Sequence, residues 1–156
     1  MNFITDRTLG KLAKWLRILG YDTLYYTGAI DRSFLQRGVK EGRIVLTRRR
    51  DMARRNFRGR MVIVRADRVV DQIREIIDAL SLKPENDKLL SVCIRCNEVL
   101  RVVSKTEEIK ERVPGYVFQT QEIFHICPHC EDIYWAGTHK EKILSFIQEH
   151  NLTGHP

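Results

Sequence analysis

The chain has 156 residues, 43% hydrophobic and 30% charged, a globular balance, and no apolar run reaches the roughly 18 residues of a membrane span. Its net charge of +7 is uneven: residues 1–80 hold 18 Lys and Arg against 9 Asp and Glu, and residues 81–156 hold 9 against 11. The first half therefore carries a basic face whose natural partner is a polyanion, nucleic acid before others, the alternative being a solvated surface without a partner.

In chain order, Asn2 to Thr5 begins a strand, and Asp6 stands where that strand ends and a helix starts. Leu9, Leu12, Ala13, Leu16 and Leu19 follow a helical period that Gly20 stops, with Lys11, Lys14 and Arg17 on the other face. Tyr21 to Tyr26 predicts a second strand, Asp31 caps a helix through Lys40, and Ile44 to Thr47 is a continuous apolar run of the buried parallel kind. Arg48 to Arg60 holds seven arginines in thirteen residues. Met61 to Val64 predicts a fourth strand and Asp67 a cap, for a helix with Val69, Val70, Ile73, Ile76, Ile77 and Leu80 inward. Leu82 to Lys88 reads as a linker. Alternating strands and helices of this kind specify a three-layer α/β/α sandwich around a mainly parallel sheet. Division into a domain over residues 1–88 and a module over 89–156 follows from the late cysteines.

Those cysteines form two pairs, Cys93-Ile-Arg-Cys96 and Cys127-Pro-His-Cys130, separated by thirty residues. Two such turns can wrap one tetrahedral Zn²⁺, a closed four-sulfur site that is structural and leaves no position for substrate. Two disulfides are the alternative, but no basic segment followed by an apolar one opens the chain, so a cytoplasmic location is expected and zinc is preferred. Around the pairs, Val99 to Val103, Glu122 to Ile126 and Ile133 to Trp135 predict strands of a β-rich zinc ribbon. Lys105 to Arg112 reads as a charged excursion ended by Pro114-Gly115. Thr138 and Glu141 suggest a capping box ahead of a closing helix packed on the body.

Ligands of open parallel sheets bind at the carboxyl ends of the strands. By that rule Asp6, Asp51 and Asp67 follow strands, Asp31 can lean toward the same edge, and Asp22 and Asp78 lie at the wrong ends. Two to four carboxylates suit Mg²⁺ or Mn²⁺ for phosphodiester cleavage, although capping alone also explains an Asp at a helix start. Arg48, Arg49, Arg50, Arg54, Arg55, Arg58 and Arg60 would repel one another unless anions lie between them, which favours phosphate contact. Trp15, Tyr25 and Tyr26 read as core. His125, His129, His139, His150 and His155 read as exposed, with His129 a possible substitute ligand in its knuckle.

The residues Phe3-Ile4-Thr5-Asp6, Leu9 to Arg17, Leu19-Gly20-Tyr21-Asp22 and Gly42 to Arg48 resemble the Mut7-C family of PIN-like ribonucleases. Cys93-x-x-Cys96-Asn97, Cys127-Pro128-x-Cys130 and Tyr134-Trp135-x-Gly137-x-His139 resemble that family's appended zinc ribbon. The resemblance implies a PIN-like fold and a site in which Asp6 and Asp31 are the first two metal-binding acids. Where the family has Thr-Arg-Asp, this chain has Thr47-Arg48-Arg49, and Asp51 matches a fourth acid.

Two expectations follow. In the first, the chain is a metal-dependent endoribonuclease with Asp6, Asp31 and Asp51 on Mg²⁺ or Mn²⁺, Thr47 orienting an acid or water, and Lys11, Lys14, Arg48, Arg49, Arg50, Arg54 and Arg55 holding RNA. In the second, Arg49 repels the dication and the chain binds RNA without cutting it. A weaker third is a protein adaptor built on the ribbon. Structural zinc on Cys93, Cys96, Cys127 and Cys130 is common to all three.

Overall fold

The computed structural model describes residues 1–152, apart from the Thr138 side chain. The first sheet joins β1 (Phe3–Thr5), β2 (Thr23–Tyr25), β3 (Ile44–Thr47) and β4 (Met61–Ile63) in the order β2-β1-β3-β4, all parallel. Between the strands run α1 (Gly10–Ile18) and α2 (Arg32–Lys40), and α3 (Val69–Leu80) follows β4. Side chains of a strand alternate faces, and the core divides accordingly. Phe3, Ile44 and Leu46 join Leu12 and Leu16 of α1, Leu19 just past its end, and Ile73, Ile76 and Ile77 of α3 on one side. Ile4 and Val45 meet Phe34 and Leu35 of α2 and Met52 on the other. These are the three layers expected from the alternating pattern. Gly38 allows α2 to lie close to the sheet, since a Cβ there would come within 2.6 Å of Val45 Cγ2.

A second, antiparallel sheet has the order β5 (Arg101–Ser104), β6 (Ile123–Ile126), β7 (Ile133–Trp135). The stretch expected to be a charged excursion instead folds as α4 (Glu107–Arg112) and α5 (Gly115–Thr120). The Thr106 hydroxyl caps α4 by accepting from the Ile109 amide, and Ile109, Val113 and Val117, four residues apart, bury themselves on Phe124. Pro114-Gly115 ends one helix and starts the next, because proline at a helix N-terminus has no amide to leave unbonded.

The closing helix α6 (Gly137–Glu149) returns to the first unit, as expected. Ile147 and Leu152 are buried in the same cluster as α1 and α3, and Phe146 stacks on Trp15 with ring centroids 4.4 Å apart. Its start differs from the expectation. Ala136 is the residue before the first turn and makes no side-chain cap, so Thr138 lies inside the helix and its side chain falls outside the described residues.

Asp67 does not cap α3. The helix begins one residue later, behind Arg68, and the Asp67 carboxylate reaches out to Arg48 at 2.5 Å. From within α3, Glu75 accepts from the amides of Arg65 and Ala66 and so ties down the segment that leads into the helix.

Candidate functional site

At the carboxyl end of the sheet, β1 lies between β2 and β3, so Asp6 emerges in the middle of the edge. Its side chain is fully buried. One oxygen accepts from the Thr8 amide at 2.8 Å and the Thr8 hydroxyl at 2.5 Å, and starts the short 3₁₀ turn Arg7–Leu9. The other accepts from the Thr47 hydroxyl at 2.5 Å and the Arg48 amide at 3.2 Å. A buried carboxylate is stable only when donors replace water, and here they come from the turn after β1 and from the end of β3. Thr47 in turn accepts from the Arg49 amide, so the turn after β3 is tied to Asp6.

Asp31 and Asp51 stand apart from this centre. Asp31 is exposed and caps α2, accepting from the hydroxyl of Ser33 at 2.6 Å and its amide at 2.8 Å. Those bonds hold its carboxyl below the usual range, with a smaller contribution from the charge of Arg55. Asp51 opens the 3₁₀ turn Arg50–Arg54 and is gripped on both oxygens by Arg49, at 2.7 Å each. Arg49 lowers the Asp51 carboxyl, and Asp51 raises Arg49 in return. Among the described residues, only the four cysteines bring three or more ligand atoms within 4.8 Å of one another. As they stand, Asp6, Asp31 and Asp51 do not form a ready divalent-ion cage.

The cations expected to hold RNA divide among separate places. Arg48 pairs with Asp67 and Arg49 with Asp51, so carboxylates already lie between two of the crowded arginines. Arg54 is exposed, and Arg50 lines a cleft of about 360 Å³ with Ala53, Ile63 and Arg65. Arg55 lines a larger groove beside α2. Lys11 and Lys14 lie across the sheet, in a groove of about 520 Å³ between α1 and the first knuckle. Tyr25, expected to be core, is 37% exposed and lines that groove, its hydroxyl donating to the Arg7 carbonyl. Trp15 and Tyr26 are partly buried against the two core clusters.

The cysteine pairs form two matching knuckles. The Cys93 amide donates to the Glu98 carbonyl and the Asn97 amide to the Cys93 carbonyl; Cys127, Asp132 and Glu131 repeat the pattern. Asn97 and Glu131, just past each pair, both take positive φ, at 65° and 62°. Inside the turns the Cys96 and Cys130 amides point at the sulfurs of Cys93 and Cys127 at 3.4 Å. All four thiols are free, and the Cys93 and Cys130 sulfurs are 3.7 Å apart. Tetrahedral zinc with bonds of about 2.3 Å requires sulfurs about 3.8 Å apart. Burial resists ionisation of Cys93, but the Tyr134 hydroxyl and the Cys96 and Arg95 amides outweigh it and bring the thiol to about 7. Cys130 is pushed up to about 12 by burial, with the other thiols contributing. Four adjacent sulfurs cannot all ionise without a cation between them, and a dication meets that need. The residues fit zinc. His129 is exposed and belongs to no such cluster, whereas His125 and His150 are half-buried, the latter against Phe146; His155 lies outside the described residues.

Asp22, set aside for lying at the wrong end of its strand, has a different task. It accepts from the Asn97 side-chain amide at 2.6 Å and from Arg43 at 2.6 Å. Asn97 also accepts from the Thr23 amide at 2.7 Å. Arg17, buried on α1, donates to the Thr23 carbonyl and to the Ile94 and Arg95 carbonyls of the first knuckle. The knuckle is thus bonded to the start of β2 and to α1.

No curated protein and no solved structure matches the chain. A family model does, over residues 1–147, from the strand that carries Asp6 through both knuckles and into α6. The chain therefore belongs to the Mut7-C RNAse domain family.

Proposed function

We propose that the chain is a metal-dependent endoribonuclease that cuts RNA at the carboxyl edge of the parallel sheet, with Asp6, Asp31 and Asp51 holding Mg²⁺ or Mn²⁺. The observation that carries this reading is the buried carboxylate of Asp6. A cap for one short turn needs a single oxygen, yet both are held, from both sides of the β1–β3 pair. Such preorganisation suits a group that must keep its charge and place beside a phosphodiester. A hard divalent ion on such acids would supply Lewis acidity and lower the pKa of a bound water.

Asp51 is the acid that must be released for this site to assemble. A phosphate offers Arg49 the same two-oxygen geometry as the Asp51 carboxylate, so an arriving RNA strand gives Arg49 another partner and frees the acid. Arg48 and Arg50 would position the strand through its phosphates.

The second reading, an RNA-binding protein that does not cut, is favoured by the Arg49–Asp51 pair, in which a guanidinium already matches the charge that a divalent ion on Asp51 would need. The test is cleavage of a labelled single-stranded RNA with Mg²⁺ or Mn²⁺, running the natural chain beside Asp6→Asn and Arg49→Asp. Cutting by the natural chain that Asp6→Asn abolishes supports the ribonuclease. Cutting by Arg49→Asp alone supports the binder, and cutting that survives Asp6→Asn removes Asp6 from the site.

A further inference from the structure

A groove lies beside α2. It is about 620 Å³ in volume, within the range of ligand sites, and its floor is a stripe of α2: Arg32, Leu35, Gln36, Val39 and Lys40. The facing wall is Arg55, Asn56, Phe57 and Arg58, from the segment that follows the 3₁₀ turn. Four cations line it and no acid does. Among the described residues, none of those four is in an ion pair, although Arg37, Arg43, Arg48 and Arg49 nearby in sequence all are. Uncompensated cations facing one cavity repel one another, and an anion with several charges removes that cost.

Two further features decide which anion. Phe57 packs on the core cluster beneath α2 while lining the groove, and Gly59 makes room for its ring, since a Cβ there would fall 2.4 Å from the ring edge. An aromatic among cations, with the amides of Gln36 and Asn56 alongside, is what a strand with unpaired bases needs; a duplex offers only phosphates to such a wall. The second feature is direction. Arg32 follows Asp31 at the start of α2, and the charge of Arg55 reaches both Asp31 and Asp51. A helix of nine residues is about 13 Å long, so the groove spans more than one nucleotide of an extended strand.

We propose that this groove is a track for single-stranded RNA leading to the acid edge, with phosphates on Arg32, Lys40, Arg55 and Arg58 and a base stacked on Phe57. The proposal rests on RNA being the ligand and adds three positions, Arg32, Lys40 and Phe57, to those that would hold it. It does not depend on cleavage.

The experiment is fluorescence anisotropy of a labelled twelve-nucleotide single-stranded oligouridine and of a twelve-base-pair RNA duplex. It uses the full chain, zinc-loaded, with no other divalent ion added. Arg32→Glu/Lys40→Glu should weaken single-strand binding at least tenfold and, because two fewer phosphates are neutralised, make the log–log salt dependence shallower by about 1.4. Phe57→Leu should weaken it about tenfold with the salt dependence unchanged. Lys83→Glu, away from the groove, should bind as the natural chain does, and the milder Lys40→Gln/Arg58→Gln provides the same reading if the charge reversals unfold. Natural affinity in folded groove variants overturns the proposal, as does a loss confined to the duplex. A chain that binds through the groove and cuts no RNA sinks the ribonuclease reading alone. One that cuts normally with the groove reversed sinks the track alone.

Discussion

Thr5 precedes Asp6 in the chain, and among the described residues its hydroxyl is the buried side-chain polar atom with no hydrogen-bond partner. A buried group left without a partner costs about 1–3 kcal/mol, so Thr5→Val, equal in shape, should raise the urea midpoint or leave it unchanged. A clearly lower midpoint would show that the hydroxyl is satisfied in solution. Asp31 makes a prediction about pH. Its carboxyl is held below the ordinary value, chiefly by Ser33, so its contribution to α2 is complete above the ordinary carboxylate range. That contribution fades as pH falls through the lowered value. Asp31→Ala should therefore be less stable than the natural chain at pH 7, and the gap in urea midpoints should narrow in acid; a gap that widens toward low pH would refute the capping role.

The elements differ in how plainly the sequence announces them. Arg32–Lys40 and Ile44–Thr47 fall where Asp31 and the apolar run put them, because a cap and a buried parallel strand are both local signals. The helix α4 is hidden by its own solvent face: Ile109 alone among charges looks like part of a loop until Phe124 is there to receive it. At the candidate site, the place of Asp6 follows from strand order, but its grip by Thr47 and Arg48 depends on a strand forty residues on. Asp22 is more remote still, since its partner Asn97 is 75 residues away. Gly38 offers a test at this scale. Gly→Ala inside a helix ordinarily stabilises by about 0.5–1 kcal/mol. Here the new methyl meets Val45, which is stiff and fully buried, so Gly38→Ala should instead cost about 1–3 kcal/mol in thermal or urea unfolding. A stabilised variant would mean that α2 can move off the sheet.

Over the whole molecule, the four-cysteine cluster and the parallel-sheet unit are held together by Arg17, Asp22 and Asn97. Denaturing the purified protein in the presence of a colorimetric zinc indicator should release about one equivalent of zinc, and half an equivalent or less would count against the four-sulfur site. Chelation of the folded protein should lower its melting temperature, and not only loosen the ribbon, because the knuckle carbonyls that receive Arg17 lose their fixed positions. An unchanged melting curve would separate the two units.

The return of α6 has a bearing on how the chain is made. Ile147 and Leu152 complete a core begun by Phe3 and Leu12, so a nascent chain stopped after α3 has an unfinished apolar face on α1, with Trp15 lacking Phe146. Domains ordinarily fold in order as they leave the ribosome. Here the unit that bears Asp6 and the basic grooves lacks part of its apolar packing until the ribbon has been threaded out and α6 has followed it. Any nuclease competence would then come late in synthesis, well after the arginine-rich segment has cleared the exit tunnel and the RNA around it.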